Sequence, residues 1–382
     1  MRVLQISSNL SSRGRGGAER FCLELSDWLS STSVEVGLAG SIEDITDGRY
    51  QRWPLREARR KVLRKLVFDY VLPGNARRLR QIIATFAPDI VHFHNVYGLS
   101  SQLIRVASEQ APTLVTVHDY WPIDVFVPRL RRGRLQYPLR QQLLLPWVSA
   151  HRAIHRRHLR DATLVSPSRY LARRLEHFGH RNVRVIPNGI TLPPAMTAGD
   201  SILFVGRLVP EKGLQEVLGS VEEVAREFCW RIDVVGEGPL RARLEQAFPT
   251  VRFHGWADPA PFYREAGIVL VPSLWPENFG YAVVEAMGYG LPVLAARVGG
   301  IPEIVEDGST GRLYDPDASQ QFVSALRALA SYAALRDRLG LAARDRVERK
   351  FTWASTGPRY LALYEEISST VARSAARLSR HA

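Results

Sequence analysis

Short runs of apolar residues recur along the chain, separated by polar turns and by segments with apolar residues at helical spacing. Each run has the length and composition of a buried strand in a parallel sheet. The predicted strands begin near residues 3, 34, 89, 114, 164, 183, 201, 232, 251, 268 and 292. Because strands and helices alternate, the pattern predicts an α/β fold of two doubly wound, Rossmann-like parallel sheets facing each other across a cleft.

The stretch 268–304 combines a strand, a polar turn, a helix, a second strand and the glycine pair Gly299-Gly300. Glu277 lies in the predicted turn, and Glu285 lies eight residues later inside the predicted helix. A helix N-terminus leaves free N–H groups and a partial positive charge, which suit a phosphate or sugar hydroxyls. The predicted ligand cradle consists of the amides of Asn278, Phe279 and Gly280.

Two cations five residues apart follow the strand that begins at 201. Arg207 stands after Gly206, and Lys212 stands before Gly213. Such charge suits a diphosphate leaving group, since about two to three negative charges must be stabilised as it departs. A second glycine-rich turn, containing Gly236, follows the next strand and is predicted to lie beside a nucleotide base.

Two predicted strands of the first half are followed directly by polar residues. His94 and Asn95 follow the strand that begins near 89, and His118 and Asp119 follow the strand that begins near 114. In a parallel sheet, ligands bind beyond the carboxyl ends of the strands, so these side chains are expected to converge. A zinc site of His92, His94 and His118 is the alternative, but a catalytic zinc needs three suitably directed ligands, and we predict none.

The glycine pair Gly16-Gly17 precedes a predicted helix over 18–29. Two glycines at that point allow a backbone to approach a phosphate closely. An ordinary surface loop is the alternative for this pair, which lacks the spacing of a dinucleotide fingerprint.

Taken together, Glu277-x7-Glu285, the Asn278-Phe279-Gly280 turn and the Gly299-Gly300-x-Pro302-Glu303 run resemble the donor-site signature of glycosyltransferase family 4. The resemblance implies a GT-B fold and a retaining enzyme that uses a nucleotide sugar as a substrate, with no separate cofactor and no metal. It covers nearly the whole chain and is strongest over 202–315.

The resemblance also implies residue roles. Gly16 and Gly17 would face the donor diphosphate together with Arg207 and Lys212, and Glu285 would bind the ribose hydroxyls. Glu277 and the cradle amides would orient the donor sugar, with His118 near its reacting centre. His94, Asn95 and Asp119 are assigned to the acceptor side. Ile123 to Phe126 stand where many relatives carry cysteines, so that loop predicts no acceptor.

The implied domains are an acceptor-side domain over 1–192, a donor-binding domain over 193–357, and a helix over 358–382 that returns to the first domain. Residues 191–200, rich in Pro, Thr, Ala and Gly, are the best linker candidate.

The net charge of +13 is placed unevenly. Up to Val165 the chain has 25 Lys and Arg against 14 Asp and Glu, whereas the remainder has 26 against 24. An anionic partner for the first half is expected, and a merely solvated basic face is the alternative. The stretch 55–71 places apolar residues at helical spacing among cations, which fits either an anionic membrane surface or packing on its own domain.

Three histidines at helical spacing, His151, His155 and His158, lie in an arginine-rich stretch and are interpreted as a solvated face. Cys22 and Cys229 are expected to be reduced. The first residues lack the pattern of a signal peptide, and no run reaches the ~18–20 apolar residues of a membrane span. A cytoplasmic protein, peripheral on the inner membrane face, is therefore expected.

These expectations combine into a metal-independent retaining hexosyltransferase. It would use a UDP- or GDP-sugar and a glycan or polyprenyl-diphosphate-linked acceptor, in lipopolysaccharide or other cell-surface polysaccharide assembly. Glu277 as a covalent nucleophile and front-face substitution both remain open, with front-face substitution preferred on the resemblance. A nucleotide-sugar epimerase of the same fold and a non-enzymatic basic binding protein are the alternatives. Nucleic acid is not expected, because no aromatic stacking platform or known module is found.

Overall fold

The computed structural model describes residues 1–11, 16–43, 49–57, 70, 72, 74–124, 129–131, 134–136, 145–196 and 199–379. The basic stretch predicted over 55–71 lies mostly outside these residues. The chain divides into two compact units. The N-terminal unit comprises Met1–Val125, Leu143–Gly189 and Trp353–Ala382, and the C-terminal unit comprises Phe126–Gln142 and Ile190–Thr352. The predicted boundaries stood at 192/193 and 357/358, close to these divisions.

The N-terminal unit contains a seven-stranded parallel sheet in the order β3-β2-β1-β4-β5-β8-β9. Its strands are β1 (Arg2–Ser11), β2 (Glu35–Glu43), β3 (Gln51–Pro54), β4 (Ile90–Phe93), β5 (Thr113–Thr116), β8 (Thr163–Ser166) and β9 (Val183–Val185). Its helices are α1 (Gly17–Ser30), α2 (Asn75–Phe86), α3 (Gln102–Ser108), α4 (Leu145–His158), α5 (Arg169–His177) and α13 (Trp353–Ser379). The residues of β4, β5 and β8 are all buried, as expected for central parallel strands.

The C-terminal unit contains a six-stranded parallel sheet in the order β12-β11-β10-β13-β14-β15. Its strands are β10 (Ser201–Val205), β11 (Arg231–Val235), β12 (Arg252–Gly255), β13 (Ala266–Val271), β14 (Val293–Ala296) and β15 (Arg312–Tyr314). Its helices are α6 (Leu214–Phe228), α7 (Arg241–Ala247), α8 (Ala260–Glu265), α9 (Tyr281–Gly288), α10 (Ile301–Ile304), α11 (Ser319–Ser331) and α12 (Ala333–Lys350). A short antiparallel hairpin, β6 (Arg129–Arg131) with β7 (Arg134–Gln136), stands apart from both sheets.

In both sheets the strand order reverses direction once, and that reversal fixes where ligands bind. The chain runs outward from β1 through β2 to β3 and then crosses back to β4; likewise it runs from β10 through β11 to β12 and crosses back to β13. Ligands of open parallel sheets bind at such switch points, outside the carboxyl ends of the strands. The loops after β1, β4, β10 and β13 are therefore the places to look for a site.

The predicted fold class is confirmed, and every predicted strand start lies within two residues of an observed strand. Sequence reasoning missed the edge strands β3 and β15, which are only four and three residues long. In β3 no residue is fully buried, so the strand lacks the apolar run by which buried strands are found. No helix among the described residues is long and apolar enough to span a membrane.

Candidate functional site

The loop that follows β10 packs directly on the loop that follows β13. A short 3-10 helix, Pro210–Lys212, ends at Gly213 in a left-handed conformation, with φ of 70°. A Cβ at this glycine would lie 1.9 Å from the carbonyl oxygen of Pro272. The backbone N–H of Leu274 donates to the carbonyl of Glu211 at 2.9 Å. The two loops at the switch point therefore approach more closely than any residue with a side chain at 213 would allow.

This close approach brings Lys212 and Glu277 together as an ion pair, with Nζ and Oε1 2.6 Å apart. The hydroxyl of Ser273 donates to the same carboxylate oxygen at 2.6 Å. The Lys212 side chain is 25% exposed and that of Glu277 is 11% exposed. The attraction in a charged pair this sheltered is screened less by water and salt than that of a surface ion pair.

The ionised form of Glu277 is stabilised by its neighbours. Burial by itself would raise the pKa of this carboxyl, but the charge of Lys212 and hydrogen bonds from Lys212, Ser273 and Trp275 outweigh burial and lower the pKa. Favourable charge and hydrogen bonding to the charged form are the two effects that can overcome desolvation. Glu277 is therefore a buried carboxylate that stays charged.

The glycine pair downstream holds the backbone of Glu277. Gly299 has φ of +57°, and a Cβ there would lie 2.1 Å from the carbonyl oxygen of Glu277. The N–H of Gly300 donates to that carbonyl at 2.6 Å. This explains the glycine at 299, where a side chain would prevent the close approach; at 300 the backbone N–H supplies the hydrogen bond, which does not require glycine.

Helix α9 begins immediately after this loop. Its first turn is preceded by Gly280 with φ of 90°, and the buried residues Asn278 and Phe279 lie between Glu277 and that glycine. Half-buried Glu285 accepts a hydrogen bond from the hydroxyl of Tyr263, at 3.2 Å between Oε2 and Oη. The two carboxylates thus belong to one loop and one helix, as predicted.

Tyr263, which donates the hydrogen bond to Glu285, was not among the residues predicted for the site. It is 1% exposed, lies in α8 and stacks on Tyr289 with 5.1 Å between ring centroids. In the sequence it is one aromatic residue in a short helix before β13, and a single aromatic gives no sign of a polar partner. Only the fold brings its hydroxyl to Glu285.

The glycine-rich turn after β11 lies against the end of β10. Gly236 has φ of +141°, and a Cβ there would lie 1.9 Å from the carbonyl oxygen of Gly206. Leu208 donates its N–H to the carbonyl of Glu237 at 2.8 Å. Arg207, between these contacts, has an exposed side chain. The shared phosphate contact of Arg207 and Lys212 stays a prediction.

In the N-terminal unit, the predicted glycine pair stands at the start of α1. Gly16 precedes the first helical residue and Gly17 is exposed. A Cβ at Gly16 would lie 2.3 Å from a carboxylate oxygen of Glu19. Buried Glu19 accepts a hydrogen bond from the Asn95 amide at 3.0 Å. Burial raises the pKa of Glu19, against the opposing effect of a backbone hydrogen bond and of Asn95.

The polar residues after β4 and β5 do come together, as predicted. The ring of His94 lies 5.6 Å from that of His118 between centroids, with Nδ1 of His94 3.4 Å from Nε2 of His118. Phe21 packs edge-on against His118 at 4.9 Å between centroids. Asp119 accepts a hydrogen bond from the backbone N–H of Trp121 at 2.8 Å, which closes a tight turn. Burial lowers the pKa of His118 to about 3.

The interpretation of the α4 histidines as a solvated face is wrong. His151 is 6% exposed and His155 is 1% exposed. His151 bonds through Nδ1 to the hydroxyl of Tyr70 at 2.8 Å and donates from Nε2 to the carbonyl of Trp121 at 2.7 Å. The arginines take the exposed positions, while the imidazoles pack among aromatic rings. Helical spacing alone does not distinguish those two faces, because histidine suits both.

Within the described ranges, no three or more His, Cys, Asp and Glu side chains are grouped so that they could hold a metal ion. His92 and His94, which suggested the zinc alternative, bond instead to protein side chains.

The whole-chain fold has several relatives among solved structures. Sucrose-phosphate synthase from Thermosynechococcus elongatus matches with a TM-score of 0.79 at 20% identity, over 97% of this chain and 100% of that one. The Anabaena HepE protein, solved in complex with UDP and glucose, matches with a TM-score of 0.68 at 16% identity, over 98% of this chain and 99% of that one. These matches and the two parallel sheets define a GT-B fold.

Two family models match the sequence in succession. The model for Glycosyltransferase Family 4 matches residues 15–192, and the model for Glycosyl transferases group 1 matches residues 199–331. The chain belongs to this family of glycosyltransferases.

Curated relatives are found in plants and bacteria. The sulfoquinovosyl transferase SQD2 of Arabidopsis thaliana is 31% identical over 305 residues, which is 72% of this chain and 56% of the relative. The phosphatidyl-myo-inositol mannosyltransferase of Mycobacterium leprae is 28% identical over 319 residues, 78% of this chain and 79% of the relative. The match thus spans little more than half of the plant relative.

Proposed function

We propose that this chain transfers a hexose-type sugar from a nucleoside diphosphate donor to an acceptor hydroxyl, with retention of configuration. The observation that carries the proposal is the sheltered ion pair of Lys212 and Glu277 at the switch point of the C-terminal sheet. One cation and one carboxylate, side by side, match the two parts of such a donor: a diphosphate and a polyhydroxylated sugar.

Lys212 can serve both Glu277 and a phosphate, because an ammonium group has three donors and one faces the carboxylate. Arg207 adds a second cation in the same loop, which follows β10. Together they supply charge where other transferases use a divalent metal. We therefore propose that the reaction needs no metal.

The carboxylates take the hydroxyl-bearing parts of the donor. Glu285, oriented by Tyr263, would accept hydrogen bonds from the ribose, and Gly236 would lie beside the base. Glu277 and the amides of Asn278 to Gly280 would orient the sugar. From the N-terminal unit we assign the Gly16-Gly17 amides to the diphosphate and His118 to the sugar, while Asn95 and Asp119 remain the proposed acceptor side.

The environment of Glu277 favours front-face substitution over double displacement. Lys212 and Ser273 both bond to Oε1 of Glu277, so this oxygen is already engaged and is less available to attack the anomeric carbon. In the front-face step, the bond from the anomeric carbon to the phosphate oxygen breaks while the bond to the acceptor oxygen forms on the same face. The leaving phosphate takes the acceptor proton, so no separate base is required.

For the acceptor we propose a lipid-linked glycan of cell-surface polysaccharide assembly. Support comes from relatives whose names contain phosphatidyl-myo-inositol and lipopolysaccharide core biosynthesis. The positive charge of the first half suits an anionic headgroup at the inner membrane face. Replacing Arg59, Arg60, Lys61, Arg64 and Lys65 should weaken binding to anionic vesicles, and unchanged binding would remove the membrane-surface part of the proposal.

The test of the donor is a thermal-shift panel of UDP, GDP, ADP and their sugars. A ligand at ~100 times its Kd should add ~2.7 kcal/mol of stability. One nucleotide should stabilise wild type and the control Lys350→Ala, which replaces an exposed lysine of the same unit, but not Lys212→Ala. A chelator should leave the shift unchanged. Stabilisation of all three proteins alike would reject the assigned diphosphate site.

A further inference from the structure

A chain of buried hydrogen bonds runs from β1 to His118 in the N-terminal unit. The Nε2 of His94 lies 2.6 Å from Oε1 of Gln5, and Nδ1 of His94 lies 3.4 Å from Nε2 of His118. Gln5 and His94 are completely buried. Gln5 belongs to no motif. Both ring nitrogens of His94 are engaged within the protein, so a positioning role replaces its predicted place on the acceptor side.

The order of donors and acceptors along this chain is determined by Gln5. Its Oε1 is a carbonyl oxygen and can only accept, so Nε2 of His94 must carry the proton. A neutral imidazole has one donor and one acceptor nitrogen, which leaves Nδ1 of His94 as an acceptor. The proton in the His94–His118 contact therefore belongs to Nε2 of His118.

Both imidazoles are in their neutral forms at physiological pH. Burial first, and then the nearby His92 and His118, hold the pKa of His94 well below its usual range. Burial lowers the pKa of His118 to about 3. Each ring therefore has a single proton, which lies on either Nδ1 or Nε2.

We propose that Gln5 and His94 are positioning residues that fix His118 in the tautomer with the proton on Nε2, so that its Nδ1 is a hydrogen-bond acceptor. The consequence for ligands rests on the proposed function: Nδ1 of His118, which is itself buried, can accept a hydrogen bond from a sugar hydroxyl that reaches it and cannot donate one. A buried glutamine in the middle of a strand would thus decide which chemical group His118 can recognise.

A second histidine in the same cluster provides a matched control. His92 bonds through Nδ1 to the hydroxyl of Tyr364 at 2.7 Å and through Nε2 to the hydroxyl of Thr116 at 2.8 Å. Thr116 is as deeply buried as Gln5, in the strand β5 that pairs with β4. Thr116→Val removes a partner of His92 and leaves Gln5, His94 and His118 unchanged.

The experiment is long-range 1H–15N correlation on the full chain labelled with 15N-histidine, without donor, because protonated and bare ring nitrogens have separate 15N shifts. His118 is assigned by the loss of its signals in His118→Gln. We expect wild-type His118 to show a proton on Nε2 and a bare Nδ1. Gln5→Met should move His118 toward a mixture of tautomers, whereas Thr116→Val should not.

A proton on Nδ1 of wild-type His118 would overturn the inference, because it would mean that the Gln5 amide is reversed and every donor along the chain with it. So would Gln5→Met if it changed the His94 signals and left those of His118 unchanged. The wild-type spectrum tests the proposed tautomer of His118 even if Gln5→Met does not fold. Since no donor is present, a failure here is distinct from a failure of donor binding in the thermal-shift panel.

Discussion

The switch points of the two sheets use opposite electrostatic strategies. In the C-terminal unit, Lys212 and Glu277 are sheltered but stay charged, because each balances the other and Ser273 adds a hydrogen bond. In the N-terminal unit, His92, His94 and His118 are neutral, because burial lowers the pKa of each. The first arrangement suits a charged diphosphate, and the second suits hydroxyl groups, whose recognition depends on where protons lie.

The two regions also differ in what positions them. The backbone of Glu277 contacts Gly299 and Gly300. The position of Lys212 follows from the close approach of the next residue, Gly213, to the carbonyl of Pro272. The histidines are held by side-chain partners on other strands and on α13, such as Gln5 and Tyr364. Backbone clamps require glycine at fixed places, whereas side-chain networks have no fixed spacing.

The largest expected effect on stability comes from disrupting the close backbone contact between Gly299 and Glu277, called the backbone clamp below. Gly299→Ala should destabilise the chain by about 2–4 kcal/mol, which combines the strain of positive φ with overpacking against the Glu277 carbonyl. The control is Gly308→Ala: Gly308 has φ of +78° but nothing within 4 Å of its added Cβ, so only about 1 kcal/mol of strain is expected. Chemical denaturation measures both. Equal losses in the two variants would show that the clamp adds nothing.

The next largest effect is the pH dependence of the stability that the ionised Glu277 provides. The pKa of Glu277 is lowered in the folded chain, so its ionised form stabilises the fold above the ordinary carboxyl range, near pH 4.3. That contribution is lost as pH falls from there through the folded-state pKa. Wild type should therefore exceed Glu277→Gln in stability by about 2 kcal/mol at pH 7, a difference that shrinks below about pH 4. A constant difference from pH 7 to pH 3 would contradict the assignment of charge to Glu277.

The buried neutral histidines should affect stability at a higher pH than Glu277 does. His155 is 1% exposed, its pKa is lowered by burial and then by neighbouring histidines, and neither ring nitrogen bonds to a described protein atom. The unfolded chain binds the proton near pH 6.5 and the folded chain does not, so stability falls as pH drops below about 6.5. His155→Leu should remove about 2 kcal/mol of the stability lost between pH 7 and pH 5. An unchanged pH profile in this variant would mean that His155 is protonated in the folded chain.

The smallest effect concerns Tyr263, which supports Glu285. Tyr263→Phe keeps the stacking on Tyr289 and removes one hydrogen bond to a carboxylate, worth about 1 kcal/mol. Affinity for the donor nucleotide should fall about fivefold by isothermal titration. Tyr314→Phe, another buried tyrosine of the same unit, should leave affinity unchanged. If both variants bind equally well, Tyr263 has no part in positioning Glu285.

Sequence reasoning placed the candidate donor residues on the same loops and helix as the structure does, and their roles stay predictions. The pair Glu277 and Glu285, the cations Arg207 and Lys212, and the glycines at 213 and 299 stand at spacings that a strand-loop-helix unit imposes, so they can be found without coordinates. The same reasoning missed Tyr263 and Gln5 and misassigned His155. Each of these residues owes its role to a partner brought near by the fold, and a residue type at one position does not reveal that partner.

The most direct test of the central claim is a double-mutant cycle on donor-nucleotide affinity, measured by isothermal titration. The proteins are wild type, Lys212→Ala, Glu277→Gln and the double variant, with Lys350→Ala as control. We predict that Lys212→Ala lowers the affinity for the donor nucleotide tenfold or more and that Lys350→Ala does not lower it. The change in binding free energy of the double variant should differ from the sum of the two single changes, because the two side chains share one hydrogen bond. Equal affinity in wild type and Lys212→Ala would contradict the claim that this ion pair is the donor site.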